Sequence, residues 1–335
     1  MRLFLRKHII TITALFSSLI FLTYPITSRA CDLCSVYTGE GAKGNRGTGF
    51  YTALATQYTH FETLQSNGHE IPNPAGEYIH SWITQGVVGY RYNRWAAQFN
   101  IPYINRSFNQ LTEDGVKSGR VDGIGDATLL GSYRLVSKFE DDWSIAQEVL
   151  FGIKFPTGNT DALGAEEEEE EHHEDGDEED EVHGHGASGI HGHDLTLGSG
   201  SVDYVLGTSL YARYQRFILE SNILWSIRTE GDFDYEFAND LIWNIGPGYY
   251  LILNEDRTLV IAVVISGEYK GLDTSNGKPE LGSDITAWYV GPKVSATFGD
   301  RLAVELRGEI PVSINNSGLS IVPDYRIKGG IVFNF

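Results

Sequence analysis

The chain has 335 residues and a formal net charge of −20, with 25 Lys and Arg against 45 Asp and Glu. Fifteen of the acids lie between Asp161 and Asp194, a segment without Lys or Arg, so the remainder is only mildly acidic. With no basic stripe to neutralise phosphates, nucleic acid is excluded as a partner.

Arg2, Arg6, Lys7 and His8 precede a mostly apolar run from Ile9 to Leu22, and Ser28-Arg29-Ala30 offers small residues at the two positions a signal peptidase reads. Residues 1–30 are therefore predicted to be a signal peptide. The run is shorter than the roughly 20 apolar residues of a membrane-crossing helix, and no long apolar run follows it. Residues 31–48 are expected to form a periplasmic segment carrying Cys31-Asp32-Leu33-Cys34. In an exported chain these two thiols make either a disulfide or, with the α-amine of Cys31, a soft-metal site for Cu or Zn. Nothing nearby has the strand–helix context of a thioredoxin-like enzyme. Arg29 and Ser28 stand where a lipidation signal wants small neutral and apolar residues.

From Gly49 onward the pattern is one of strands. There are 18 Tyr, 16 Phe, 6 Trp and 38 Gly against a single Met, a composition suited to strands, aromatic belts and tight turns. Twelve segments alternate apolar and polar residues, near 49–62, 80–92, 94–106, 123–137, 142–156, 200–214, 216–229, 236–252, 257–270, 284–298, 301–313 and 323–335. Short turns at Asn93, 138–141, Gln215, 253–256 and 299–300 alternate with mostly longer polar connections at 63–79, 107–122, 157–199, 230–235, 271–283 and 314–322.

Leu302, Val304, Leu306, Gly308, Ile310 and Val312 share one face of their strand, and Glu305, Arg307 and Glu309 the other. The first strand is the least regular, with Phe50, Leu54 and Tyr58 competing against Tyr51, Ala53 and Ala55. Segments of 13 or more residues exceed the strands of soluble sandwiches and suit a transmembrane β-barrel. Trp82, Trp95, Tyr103, Trp143, Tyr249, Tyr269, Trp288 and Phe298 near segment ends fit interfacial girdles.

The expected fold is all-β: a 12-stranded antiparallel transmembrane β-barrel over 49–335 in the bacterial outer membrane, with short periplasmic turns and long outer loops. Outer-membrane lipid meets its apolar face. The last strand, ending in Phe335, resembles the signal read by the barrel-assembly machinery, and it must pair with the strand near 49–62 to close the ring.

The polar face supplies the predicted lumen: Arg91, Asp126, Arg134, Glu148, Lys154, Arg213, Glu220, Arg228, Glu268, Lys293, Glu305, Arg307, Glu309, Arg326 and Lys328. Mixed signs admit two readings, a polar pathway with local selectivity or salt bridges filling a narrow barrel. No catalytic set is predicted.

Three motifs carry a family resemblance. Gly123-Ile124-Gly125-Asp126-Ala127 precedes a Tyr-Arg strand. Gly152-Ile153-Lys154-Phe155-Pro156-Thr157-Gly158, with Asp161, is the second. Leu197-Gly198-Ser199-Gly200-Ser201-Val202-Asp203-Tyr204 is the third. Together they resemble the outer-membrane family named for the meta-pathway of phenol degradation, whose members are regarded as transporters. The resemblance implies a barrel without catalytic residues and hydrophobic aromatic compounds as cargo. It also implies a short connection between the second and third motifs.

In this chain that connection, 157–199, is long, acidic and rich in His, and it is expected to be a disordered outer loop. Glu166–Glu171 is followed by His172, His173, His183, His185, His191 and His193 among further acids and glycines. Imidazoles and carboxylates on a flexible chain suit divalent Zn, Cu, Ni or Co ions. No cofactor is otherwise required. The sequence thus points to a passive channel or transporter for small solutes linked to transition metals. The alternatives are diffusion of aromatic compounds and a non-transporting surface barrel that binds metal or a partner.

Overall fold

Alternating apolar and polar residues make a strand with one greasy and one polar face, and such strands bury neither face alone. Here twelve of them close into a ring. The structure, a computed structural model, describes residues 48–112, 115–164 and 188–335. The staves are β1 Gly49–Ser66, β2 Tyr78–Tyr92, β3 Trp95–Thr112 and β4, which comes in two pieces, β4a Gly115–Ile124 and β4b Ala127–Phe139. They continue with β5 Trp143–Phe155, β6 Asp203–Tyr214, β7 Phe217–Ile227 and β8 Asp240–Leu253. The last four are β9 Arg257–Lys270, β10 Ile285–Phe298, β11 Leu302–Asn315 and β12 Leu319–Asn334.

Each stave pairs antiparallel with its chain neighbours, and β12 pairs with β1 from Tyr51↔Asn334 to Ser66↔Leu319. The most regular strand thus closes on the least regular one. Closure matters because a bare edge cannot sit in hydrocarbon.

The face choice follows the expected alternation. Val263, Ile310 and Ile331 point out, exposing about half of their surface to the lipid side, while Glu268, Glu309 and Arg326 on the same three strands are buried within the ring. On β1 the outward set is Phe50 and Leu54, leaving Tyr51, Ala53 and Ala55 inside. Trp82 and Tyr92, at opposite ends of β2, are both exposed outward and lie ten positions apart. At a rise of about 3.3 Å per residue and a tilt of about 40°, that separates the two aromatic girdles by about 25 Å, the height of an outer-membrane apolar band.

Above the outer girdle the wall is uneven. The connection expected at 107–122 is a hairpin, with β3 and β4a pairing from Tyr103↔Ile124 to Thr112↔Gly115. Most of 314–322 likewise belongs to β11 and β12. The stretch 63–79 starts with β1 running on to Ser66, turns at Asn67-Gly68, and pairs back through His69–Ile71. Both turn residues have positive φ, which Asn and Gly tolerate best. Staves β12, β1, β2, β3 and β4a therefore form a tall wall on one side of the mouth.

The strand expected at 123–137 is broken at Gly125-Asp126. β4a pairs only with β3, and β4b pairs with both β3 and β5. Among the described residues, no helix is long and apolar enough to cross a membrane.

The placement of the belt has a direct consequence. Val263→Arg puts a charge on the lipid face mid-strand and should cost about 2–4 kcal/mol. Lys117→Glu, exposed on β4a above the girdle, should change stability by no more than about 0.5 kcal/mol. Urea unfolding in lipid vesicles, followed by Trp fluorescence, measures both; equal effects would contradict the assigned belt.

Candidate functional site

The three sequence motifs converge at the outer rim. The break at Gly125 turns the Asp126 carboxylate inward, where Oδ1 accepts the backbone N–H of Thr157 at 3.1 Å and of Gly158 at 3.0 Å. Its Oδ2 accepts the N–H and hydroxyl of Ser199, both at 2.9 Å. Lys154 Nζ lies 2.9 Å from Asp126 Oδ2 and 2.6 Å from Asp203 Oδ2, and donates to Ser199 Oγ at 2.7 Å. Arg228 continues the chain, 2.9 Å from Asp203 through Nη1 and 2.9 Å from Asp240 through Nε.

Charges thus alternate as Asp126, Lys154, Asp203, Arg228, Asp240 around one quadrant, all with side chains almost fully buried. A buried pair of this kind contributes little net stability against an apolar replacement, but removing one member strands the other charge. The motif glycines allow the backbones to touch: a Cβ on Gly158 would fall 2.5 Å from the Leu197 carbonyl oxygen, and one on Gly198 2.7 Å from Asp126 Oδ1. This cluster latches the segment entering β6 to the ends of β4 and β5.

From the latch, residues 188–199 run back across the mouth as a strap against the tall wall. Glu77 on the loop into β2 is hydrogen-bonded to the Ser188 hydroxyl and accepts the N–H of Gly189 at 3.3 Å. Ile321 N donates to the Gly189 carbonyl at 2.7 Å. Arg106 Nη1 donates to the carbonyls of Asp194 at 2.9 Å and Thr196 at 2.5 Å, and Gln110 Nε2 to that of Ile190 at 2.8 Å. Beneath these bonds Ile190 and Leu195 fill an apolar bowl of Phe61, Leu64, Ile79, Phe108 and Ile321.

The expectation of a disordered loop over all of 157–199 is therefore corrected. Residues 157–164 and 188–199 are held in the mouth, because a mixed apolar and hydrogen-bonding wall offers them partners. The sequence signal for this was Ile190, Leu195 and Leu197 at the insert's end, overshadowed by the charge run before them.

His191 and His193, expected as exposed ligands, are each only 5% exposed. Their rings stack at 5.2 Å and 7°, and His191 Nε2 donates to the Leu319 carbonyl at 3.0 Å. His193 Nε2 lies 3.6 Å from Asp194 Oδ1. Burial pushes the Asp194 carboxyl above the usual carboxylate range. Among the described residues no group of three His, Cys, Asp or Glu is placed to hold a metal ion. Cys31, Cys34, His172, His173, His183 and His185 lie outside the described residues, as does the predicted signal peptide.

A second loop system covers the remaining rim. Asp273 accepts from Tyr235 Oη at 2.7 Å, Ala238 N at 2.8 Å and Lys270 Nζ at 2.5 Å. Leu163, Tyr235 and Phe237 pack beside it.

The lumen below has two unlike halves. On the β2–β5 side Glu148 binds Arg91 at 2.9 Å and Arg134 at 2.7 Å, and these side chains keep between 3% and 7% of their exposure. That half is filled, as the salt-bridge reading expects. On the β7–β12 side Lys293 lies 2.8 Å from Glu220 and 3.3 Å from Glu305. Glu309 lies 3.3 Å from Arg307 and 3.6 Å from Lys328. Lys293, Glu220, Glu305, Arg307 and Lys328 retain 11% to 21% side-chain exposure, so water-sized space reaches them. Above them Arg326 stacks over Tyr289 at 3.6 Å and pairs with Glu268 at 2.5 Å.

Arg213 departs from its expected role. It fastens the periplasmic turns, donating to the carbonyls of Gln215, Glu140 and Asp141, since its position at the end of β6 leaves it level with them. The predicted lumen set left out Asp203, which entered only through the third motif, and Asp240, Lys270, Arg106, Glu77 and Tyr289. Strand parity puts Lys270 on the polar face with Ser266 and Glu268, and Arg106 on the face of Ile104 and Asn100.

No family model matches the chain, and no curated protein matches it. Among solved structures, the COG4313 outer membrane channel from Pseudomonas putida F1 is similar with a TM-score of 0.61, over 90% of this chain and 100% of that one, at 14% identity. The transport unit of the autotransporter AIDA-I from Escherichia coli gives 0.46 over 91% and 94% at 9% identity. The P. putida toluene transporter TodX gives 0.37 over 87% and 91% at 9% identity. The first likeness, at this identity, concerns the fold. The protein is a bacterial outer-membrane β-barrel.

Asp126→Ala tests the latch. It leaves Lys154 with a single carboxylate and unties 157–158 and 199, a local loss of about 3–5 kcal/mol. Hydrogen exchange at 196–203 should accelerate while β9–β12 stay protected; unchanged protection at 196–203 would show that the latch is not what holds the strap.

Proposed function

We propose that this barrel is a gated channel for small polar solutes, with its acidic, His-rich insert gathering transition-metal ions over the outer mouth. The observation that carries the gating is the strap: residues 188–199 lie across the mouth on hydrogen bonds donated to Glu77 and received from Arg106 and Gln110, above a lumen whose β7–β12 side keeps partly exposed charges. A few such bonds, each worth about 0.5–1.5 kcal/mol net, can hold the strap and still let it open.

The lumen argues for polar cargo. A hydrophobic aromatic compound, which the family resemblance implies, would have to displace paired charges and leave them unsolvated. The metal reading rests on the donor set of the insert and on its tether. Leu163 and Ser188, flanking 165–187, are both buried at the mouth, and the stretch between them supplies four of the six imidazoles and 13 of the 15 acids. Imidazole and carboxylate together favour Zn, Cu, Ni or Co over Ca or Mg.

Two measurements test this. In planar bilayers the Glu77→Ala/Arg106→Ala variant should open more often than the wild-type protein; absence of current from both would favour a non-transporting barrel. Deleting 165–187 should abolish zinc and copper binding in calorimetric titration while the heat-modifiable gel shift of the folded barrel persists. Unchanged binding would remove the insert from the metal role.

A further inference from the structure

Resting on the channel reading, we infer that the β7–β12 half of the lumen selects small zwitterionic solutes. Lys293 on β10 pairs in register with Arg307 on β11, and Arg307 with Lys328 on β12. Three cations therefore stand side by side in one transverse row. Like charges directly opposite one another on neighbouring strands destabilise a sheet, and stability alone would have been served by alternating signs within the row.

Compensation comes instead along the barrel axis and from across the lumen. Glu309, two residues toward the outer end of β11, lies within 3.6 Å of both Arg307 and Lys328. Glu305, two residues toward the periplasm, and Glu220 on β7 both reach Lys293. A solute moving inward thus passes a level where Glu309 stands beside Arg326, itself paired with Glu268, then the row of three cations, then Glu305, spaced by about 6–7 Å along the strand.

Ion-pair exchange decides which solute suits this ladder. A simple anion that takes Lys293 leaves Glu220 and Glu305 without their cation, and a simple cation that takes Glu305 leaves Lys293 short of a partner. Either exchange leaves a poorly solvated charge behind. A molecule with a carboxylate and an ammonium separated by a few carbons can insert into a pair and satisfy both partners at once. The filled β2–β5 half, whose Arg91–Glu148–Arg134 cluster lacks comparable exposure, offers no such exchange.

Osmotic swelling of proteoliposomes holding wild-type protein or the Glu77→Ala/Arg106→Ala variant tests the idea, with 4-aminobutyric acid, erythritol, succinate and putrescine as probes. The zwitterion should enter several-fold faster than the other three, and the reversal potential in a KCl gradient should lie near zero. Glu305→Gln/Glu309→Gln should move that potential toward the chloride value and lose the preference. Arg307→Gln/Glu309→Gln, which removes a pair and keeps the net charge, should also lose the preference while the potential stays near zero. Entry ranked by size alone, or a preference that survives in both variants, would overturn the zwitterion assignment and leave the channel intact. Entry of no probe into either preparation would overturn the channel reading along with it.

Discussion

Because hydrocarbon solvates neither a free peptide group nor a charge, twelve strands in a membrane must close on one another and turn their charged side chains inward. The rest of the molecule follows from how those inward charges are then partnered. Glu148 is shared between two arginines, Lys154 and Arg228 are threaded through three aspartates, and Lys293 is held between two glutamates. Pairs this well made add little to stability over an apolar core. What they add is geometry, since each fixes the approach of particular strands or loops.

The latch shows that geometry at work. A continuous β4 would carry its pairing with β5 up past the girdle. The break at Gly125-Asp126 ends that pairing and puts a carboxylate where Thr157, Gly158 and Ser199 bring their N–H groups. The long connection after β5 is thereby returned to the rim at both its ends, and the strap can lie across the mouth. The three glycine-rich motifs are, in physical terms, two carboxylates, Asp126 and Asp203, the lysine between them and the glycines that let three backbone segments approach.

The barrel itself was legible in the sequence because period-two alternation sustained over more than nine residues suits a membrane-spanning strand and few soluble ones. Twelve strands, the closing pair of β1 with β12, and the inward charges of β5, β7, β9 and β11 were all readable that way. What escaped was whatever depended on contacts between distant segments. Asn67-Gly68 was a readable hairpin signal, yet the polar residues around it suggested loop. Arg106 and Glu77 look like ordinary rim charges until the strap is placed against them. His191 and His193 sit in a run that reads as solvated, and their burial goes with distant contacts, His191 with the Leu319 carbonyl and His193 with the Tyr235 ring.

The two halves of the lumen also divide two tasks that compete within one barrel. A ring of twelve strands is only modestly wider than one that side chains fill completely. The Arg91–Glu148–Arg134 cluster fills one side and ties β2, β4b and β5 together near their periplasmic ends, well below the strap. The other side leaves Lys293, Arg307 and Lys328 between 11% and 21% exposed, and partly exposed charges can change partners at lower cost than dry ones. The strap's wall and the more exposed half of the lumen therefore share β12, whose Ile321 and Leu319 hold the strap at the outer end while Lys328 faces the lumen further down, so different residues of one strand serve the two.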